Sequence, residues 1–351
     1  NIDLKTDIIE LNLNTLALLL FLNNKYSETF YTMVEANEVS NYLINEILST
    51  NSQFDSLFYL QNIIFYRDLF ISFVTNYLPS FSEGIQNVIN LVLKRKGLTL
   101  TISQMLNKIQ STKYYPDLEE AFQELLSIKQ EIVDISFNHK QKNLNSQRKY
   151  LDELKYRKTI IERQLTSIIP DVKLERRLQN ADTHSVTRNL PYGTILIDFV
   201  YFYNIDLKTV FSDNQQSKKP HYLACILLGK RPESGKIINL GPAEEIDEKI
   251  KKFRSSITSE IVNSDCDRNF KSVPATKIFG TIDYGIELRK IIFDPLIKFI
   301  GDCKHLFLSP DGNLAKIPFE VLPLNNGCRL IDRYKISYLN NGRDVLLFGA
   351  A

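Results

Sequence analysis

The chain has 351 residues, room for two or three domains, and 44% of them are apolar, an ordinary share for a globular protein. Basic residues (43) nearly cancel acidic ones (41), leaving a net charge of +2, so nothing in the balance argues for nucleic acid as a partner. Four cysteines, Cys225, Cys266, Cys303 and Cys328, stand apart with no CxxC pair, which points to reduced thiols in a cytoplasmic protein and away from a zinc site.

The first residue is Asn, and no signal peptide is visible. The apolar run Leu16 to Leu22 is far shorter than the roughly 20 residues that span a bilayer, so no membrane association is expected. The chain reads as a fragment, cut at both ends, of a longer cytoplasmic protein.

Residues 1 to 110 read as helices. Leu11, Thr15, Leu18 and Leu22 recur at helical spacing. A second helix is predicted from about Ser27 to Leu48, and a third, rich in aromatics, from about Gln53 to Leu78, where Pro79 ends it. Ile85, Val88, Ile89, Val92 and Leu93 form a fourth stripe. Lys94, Arg95 and Lys96 load its last turn, where cations suit the helix dipole, and Gly97 fits the stop. This rhythm suits either a degenerate tetratricopeptide-like array or a plain helical bundle, since no clean 34-residue repeat is present.

Residues 111 to 170 read as an antiparallel helical hairpin. Pro116 opens it. Leu118, Ala121, Leu125, Ile128, Ile132 and Ile135 make one seam at a/d spacing, and a second runs from Leu144 to Ile168. The charge run from Gln147 to Arg163 is then a solvated face. Pro170 closes the hairpin.

After Leu190 the character changes to strands. Thr194 to Tyr203 and Tyr222 to Leu228 are β-branched and aromatic, and Lys236 to Leu240 is a short third strand. The polar segment from Ser212 to Pro220 reads as an exposed hairpin loop. A helix follows from Ala243 to Ile257, then a long loop over 259 to 280, then a helix from Tyr284 to Ile300 that Pro295 kinks or restarts. Leu306 to Leu308 is a buried strand and Lys335 to Leu339 another. Between them, Pro310-Asp311-Gly312 is a turn in which Gly312 is expected to take φ > 0 and Asp311 to cap. The fold class is α/β, an α+β chain with helices first and a layered sheet after.

The stretch LFLSPDGNLAKIPFEVLP (Leu306 to Pro323), followed by RLIDRYKISYL and GRDVL, resembles the N-terminal half of a CHAT domain, named for caspase HetF associated with tetratricopeptide repeats. LVLKRKGL (Leu91 to Leu98), PYGTILIDFV (Pro191 to Val200) and IIFDPLIKFIG (Ile291 to Gly301) continue the resemblance upstream, over roughly residues 55 to 348. It implies that residues 171 to 351 are the first half of a caspase-like domain. It also implies a cysteine endopeptidase with a His-Cys dyad, a protein substrate or regulatory protein as partner, and a cyanobacterial setting. In the family the dyad lies in a His-Gly segment and a Ser-Ala-Cys segment. This sequence contains neither, so the dyad is expected beyond Ala351 and no catalytic, cofactor or metal residue is assigned within the chain. A non-catalytic scaffold with a degenerate caspase-like domain fits the same residues.

Each chemically capable residue has a plainer reading. Cys303 and His305, two apart, would share a strand face too closely to admit a substrate carbonyl between them, and read as packing. Cys328 sits in a turn beside Arg329. A lone Asp311 is no cation cage. Glu320 fits a helix start or a group that supports a site residue from behind, and Arg343-Asp344 fits a pair or cap. His139, His184 and His221 read as surface residues.

Overall fold

The structure, a computed structural model, describes residues 4–50, 53–97, 181–210, 218–264, 275–324 and 327–348, with scattered positions between 124 and 161. The chain divides into two compact units, Asn1–Tyr66 with Gly97–Asn180, and Arg67–Lys96 with Ala181–Ala351.

The first unit holds α1 (Leu4–Leu22), α2 (Tyr26–Thr50) and the start of α3 (Gln53–Tyr77). α1 and α2 pack together across a tight turn in which Asn24 takes φ +59°, a conformation Asn tolerates. The buried face of α1 is Asn14, Ala17, Leu18 and Phe21, while Leu11 and Leu22 of the expected stripe are exposed. Leu16 to Leu22 is apolar all round, so spacing alone could not choose the buried face. The expected hairpin of residues 116–169 lies mostly outside the described residues. Within it, Tyr150 donates to Glu131 (2.7 Å) and Arg157 pairs with Glu124 (2.5 Å).

The second unit is built on a five-stranded sheet ordered β3-β2-β1-β4-β5, from β1 (Thr194–Ile205), β2 (Lys218–Leu228), β3 (Arg231–Pro242), β4 (His305–Ser309) and β5 (Lys335–Tyr338). β1, β2 and β3 are antiparallel, and β1, β4 and β5 are parallel. The central strands read as continuous apolar runs because both faces are covered. On one face Ile195, Ile197, Phe199, Leu306 and Leu308 meet α6 (Ala243–Ser264) and α7 (Ala275–Ile292) through Ile246, Ile250, Phe253, Leu288 and Ile292. The other face lies under α4 (Ser82–Arg95) and the short α5 (Thr183–Asn189). The predicted α4 stripe, Ile85, Val88, Ile89, Val92 and Leu93, is buried throughout.

Several sequence expectations need correction. β3 spans twelve residues, more than twice Lys236 to Leu240. The predicted loop at 259–280 is partly helical, since α6 continues to Ser264 and α7 begins at Ala275; residues 265–274 lie outside the described set. The helix expected from Tyr284 starts earlier, at Ala275, but Pro295 does restart it as expected: α7 stops at Ile292, Pro295 sits in a 3-10 turn, Asp294–Leu296, where its missing N–H costs nothing, and a helical turn resumes over Ile297–Ile300. Beyond these corrections, Leu314 and Phe319 are buried within two 3-10 turns, Gly312–Lys316 and Phe319–Val321, and Ile317 and Leu322, which follow the turns as their C-caps, are buried as well.

Gly312 has φ +54°, as the turn requires. A Cβ there would stand 2.8 Å from the Tyr222 hydroxyl oxygen. Asp311 uses both carboxylate oxygens, Oδ1 accepting from Gly312 N (2.8 Å) and Oδ2 from Tyr201 N (2.9 Å). Asn keeps one such acceptor, so Asp311→Asn is not the near-neutral change that a simple cap would allow. Gly312→Val is expected to cost about 1–3 kcal/mol and Asp311→Asn about 1 kcal/mol, both read by thermal or urea melting. A Gly312→Val variant as stable as the wild type would contradict this turn geometry.

Candidate functional site

Asp198 lies in the middle of β1, on the face toward α4, and is 2% exposed. A carboxylate there must be paired. Its partner is Lys96, just past α4 and 4% exposed, with Nζ to Oδ1 at 2.5 Å. The ammonium also donates to Ser309 O (2.7 Å) and Ser309 Oγ (2.6 Å), so all three of its protons are used. Asp198 Oδ2 accepts from Gly342 N (3.1 Å), and Ser309 Oγ donates to Asn340 O (3.3 Å).

The GRDVL segment explains itself against this centre. A side chain at Gly342 would collide with Asp198 Oδ2, so the amide approaches because there is no Cβ. Arg343, 1% exposed, donates from Nη1 to Lys94 O (2.8 Å) and so satisfies a carbonyl at the end of α4. Asp344 accepts from Asn341 N (2.9 Å) and starts the 3-10 helix Gly342–Leu347. The expected pairing or capping role of Arg343-Asp344 is capping by both residues.

Lys96, Asp198 and Ser309 have the composition of a Ser-Lys catalytic pair. Ser309 is fully buried and bonded on both sides, so no substrate carbonyl can reach it. Cys225 faces Asp198 across the β1–β2 ladder, and burial, reinforced by the Asp198 charge, pushes its thiol far up. The centre is structural.

The other thiols have no described imidazole partner. Cys303 precedes β4, which begins at His305, so the two do not share a strand face as expected. Cys303 lines a cleft of 380 Å³ with Tyr192, Arg231 and Phe299, and burial raises its thiol despite Arg231. Cys328 is exposed at a cleft of 640 Å³ that Arg289, Asp294, Lys304 and Asp332 also line. His305 Nε2 and Ser337 Oγ share a hydrogen bond of 2.9 Å on the face of β4 and β5 toward Phe307. Tyr338 donates to Glu320 Oε2 (2.7 Å) and accepts from Phe319 N (3.0 Å), which gives Glu320 its place. His221 meets Asn239 Oδ1 (3.1 Å), and His184 is exposed. His139 and Cys266 lie outside the described residues. Among the described residues no group of three or more His, Cys, Asp or Glu is placed to hold a metal ion, and no helix is long and apolar enough to cross a membrane.

Spacing arguments missed Lys96, Asp198 and Ser309. The signal was present: one acid inside the apolar run TILIDFV must find a cation.

Residues 283–348 match the family model of the CHAT domain. That span holds the end of α7, β4, the Pro310-Asp311-Gly312 turn, β5 and the GRDVL segment, and is narrower than the resemblance over 55–348. No curated protein and no solved structure matches the chain.

Removing one member of a buried ion pair strands the other. Lys96→Met is therefore expected to cost about 3–5 kcal/mol in urea unfolding, and a loss below about 1 kcal/mol would show that Asp198 finds water instead. A second expectation concerns pH. Burial, then the Lys335 charge, hold His305 below its ordinary 6.5. The unfolded chain then binds more protons, so this group's stabilisation is present above pH 6.5 and falls as pH drops below it. Melting of His305→Gln should lose part of the wild-type decline in that range; identical pH profiles would remove His305 from the account.

Proposed function

We propose that this chain supplies the sheet-forming, non-catalytic part of a cytoplasmic, caspase-like cysteine endopeptidase, together with a helical segment that engages a protein substrate or regulatory protein. The observation that carries the reading is the CHAT-domain match over residues 283–348, which ends in the segment that clasps Asp198. In this reading a Cys thiolate attacks a peptide carbonyl, a His takes and returns the proton, and backbone N–H groups stabilise the oxyanion. The dyad lies outside residues 1–351. Two of the three described thiols support that division: Cys225 is sealed in the sheet, and Cys303 is raised by burial.

The second reading is a non-catalytic interaction scaffold. It is favoured by the same placement, since among the described residues no cysteine is hydrogen-bonded to an imidazole, which suits a structural module equally well. Translating the reading frame that adjoins residues 1–351 separates the two. His-Gly and Ser-Ala-Cys segments there, with peptide cleavage lost on Cys→Ala in the Ser-Ala-Cys segment, support the peptidase. Equal cleavage with and without that Cys, or none by either, supports the scaffold.

The 351-residue chain alone is expected to give no turnover of a mixed peptide library. Turnover abolished by Cys303→Ala or Cys328→Ala would overturn the assignment of those residues.

A further inference from the structure

Three chain reversals meet at the end of the sheet where β1 begins. Pro191-Tyr192-Gly193 leads into β1, Gly229-Lys230 turns β2 into β3, and Gly301-Asp302-Cys303-Lys304 joins the helical turn Ile297–Ile300 to β4. Between them lies a cleft of 380 Å³, within the roughly 300–1,000 Å³ range of small-molecule sites. Its walls are tied by hydrogen bonds. Gly229 N donates to Thr194 O (2.9 Å), Lys230 N to Thr187 O (2.8 Å) and Cys303 N to Ile300 O (3.1 Å). Thr194 Oγ1 donates to Pro191 O (2.7 Å). A ligand entering this cleft meets walls already set, so little ordering opposes its binding.

The side chains around the cleft divide by chemistry. Leu228 and Ile300 are apolar, and Phe299 and Tyr192 add aromatic rings; Tyr192, 78% exposed, takes no part in the core. Arg231 and Asp302 bring opposite charges to the same cleft. Both act on the Cys303 thiol, Asp302 adding to the rise that burial causes and Arg231 opposing it. Yet the two do not pair with each other. Among the described residues, neither the Arg231 guanidinium nor the Asp302 carboxylate has a hydrogen bond or ion pair. The 640 Å³ cleft differs here, because its carboxylates are engaged: Asp294 pairs with Arg289 (2.9 Å) and Asp332 accepts from Arg329 N (2.7 Å).

We propose that the 380 Å³ cleft binds a free α-amino acid with an aromatic side chain, its carboxylate on Arg231, its ammonium on Asp302 and its ring against Tyr192 and Phe299. The ligand class follows from the two uncommitted charges. An anion alone would be repelled by Asp302, and a cation alone by Arg231. A molecule that carries both charges about one carbon atom gives each side chain a charge-assisted hydrogen bond. The aromatic walls then favour a ring over a polar side chain. The proposal is independent of the peptidase reading, since it uses no residue of a His-Cys dyad. Cys303, half-buried at the same cleft, serves as its reporter.

The test follows alkylation of Cys303 by iodoacetamide in the full 351-residue chain, read site by site by peptide mass spectrometry, with circular dichroism as the folding control. L-phenylalanine at about 10 mM is expected to slow Cys303 alkylation at least about fivefold and to leave the exposed Cys328 unaffected. N-acetyl-phenylalanine lacks the ammonium and phenylalaninamide lacks the carboxylate. Each strands one charge and is expected to need an at least about tenfold higher concentration. L-alanine, which keeps both charges and lacks the ring, is expected to need as much. Arg231→Gln and Asp302→Asn, both at exposed positions, are expected to remove the protection. Isothermal titration calorimetry with the same four compounds reads the binding without the thiol, should Cys303 alkylate too slowly. No binding of L-phenylalanine overturns the proposal. So does equal binding of any of the three analogues, or binding undiminished in a folded Arg231→Gln or Asp302→Asn variant. The analogues need no substitution, so the charge requirement is tested even where a variant fails to fold.

Discussion

The burial of the Lys96 ammonium against Asp198 fixes where the rest of the sheet unit can sit. An ammonium and a carboxylate out of water cost several kcal/mol each unless every donor and acceptor is met. Four stretches distant in sequence meet them: the end of α4, the middle of β1, the end of β4, and Asn340 with Gly342. None can shift alone without stranding a charge. Replacing such a pair with apolar residues is often neutral or better for stability, so its value here lies in register. It sets the parallel pairing of β1 with β4, because Lys96 contacts Asp198 and Ser309 at once and these are the partners that close that ladder.

The sequence made the sheet legible because its strands are buried on both faces. TILIDFVYFY and YLACILL are continuous apolar runs, and no helical spacing competes for them. The α4 stripe and the Gly312 turn were equally legible, the first from amphipathic spacing and the second from turn chemistry. The buried face of α1 was not, since leucines surround that helix. The length of β3 was not, because Arg231 to Gly235 is polar and alternates on an edge. The polar centre escaped for a different reason: Lys96 looked like a helix-end cation. Its partner is 102 positions away, and no local pattern reports a contact at that distance.

The same unit treats its strand ends in two ways. Where β4 stops, side chains from α3 and Asp311 finish the hydrogen bonding of β1. Tyr338, at the end of the edge strand β5, instead holds the Phe319–Val321 turn through Glu320 Oε2 and the Phe319 amide. The segment that matches the CHAT domain therefore includes a strand with one side uncommitted among the described residues, next to Ser337 and His305. A backbone edge of that kind accepts another strand by main-chain bonding alone.

Thiol chemistry is kept out of the sheet interior by position. A cysteine becomes a nucleophile when a nearby cation or base stabilises its thiolate. Cys225 has Lys96 within electrostatic reach, but that ammonium is already spent on Asp198 and Ser309, and the Asp198 charge opposes a second anion beside it. Making Cys225 reactive would require breaking the pair that sets the sheet register. The contact that fixes the strand register therefore also keeps the one thiol inside the sheet protonated.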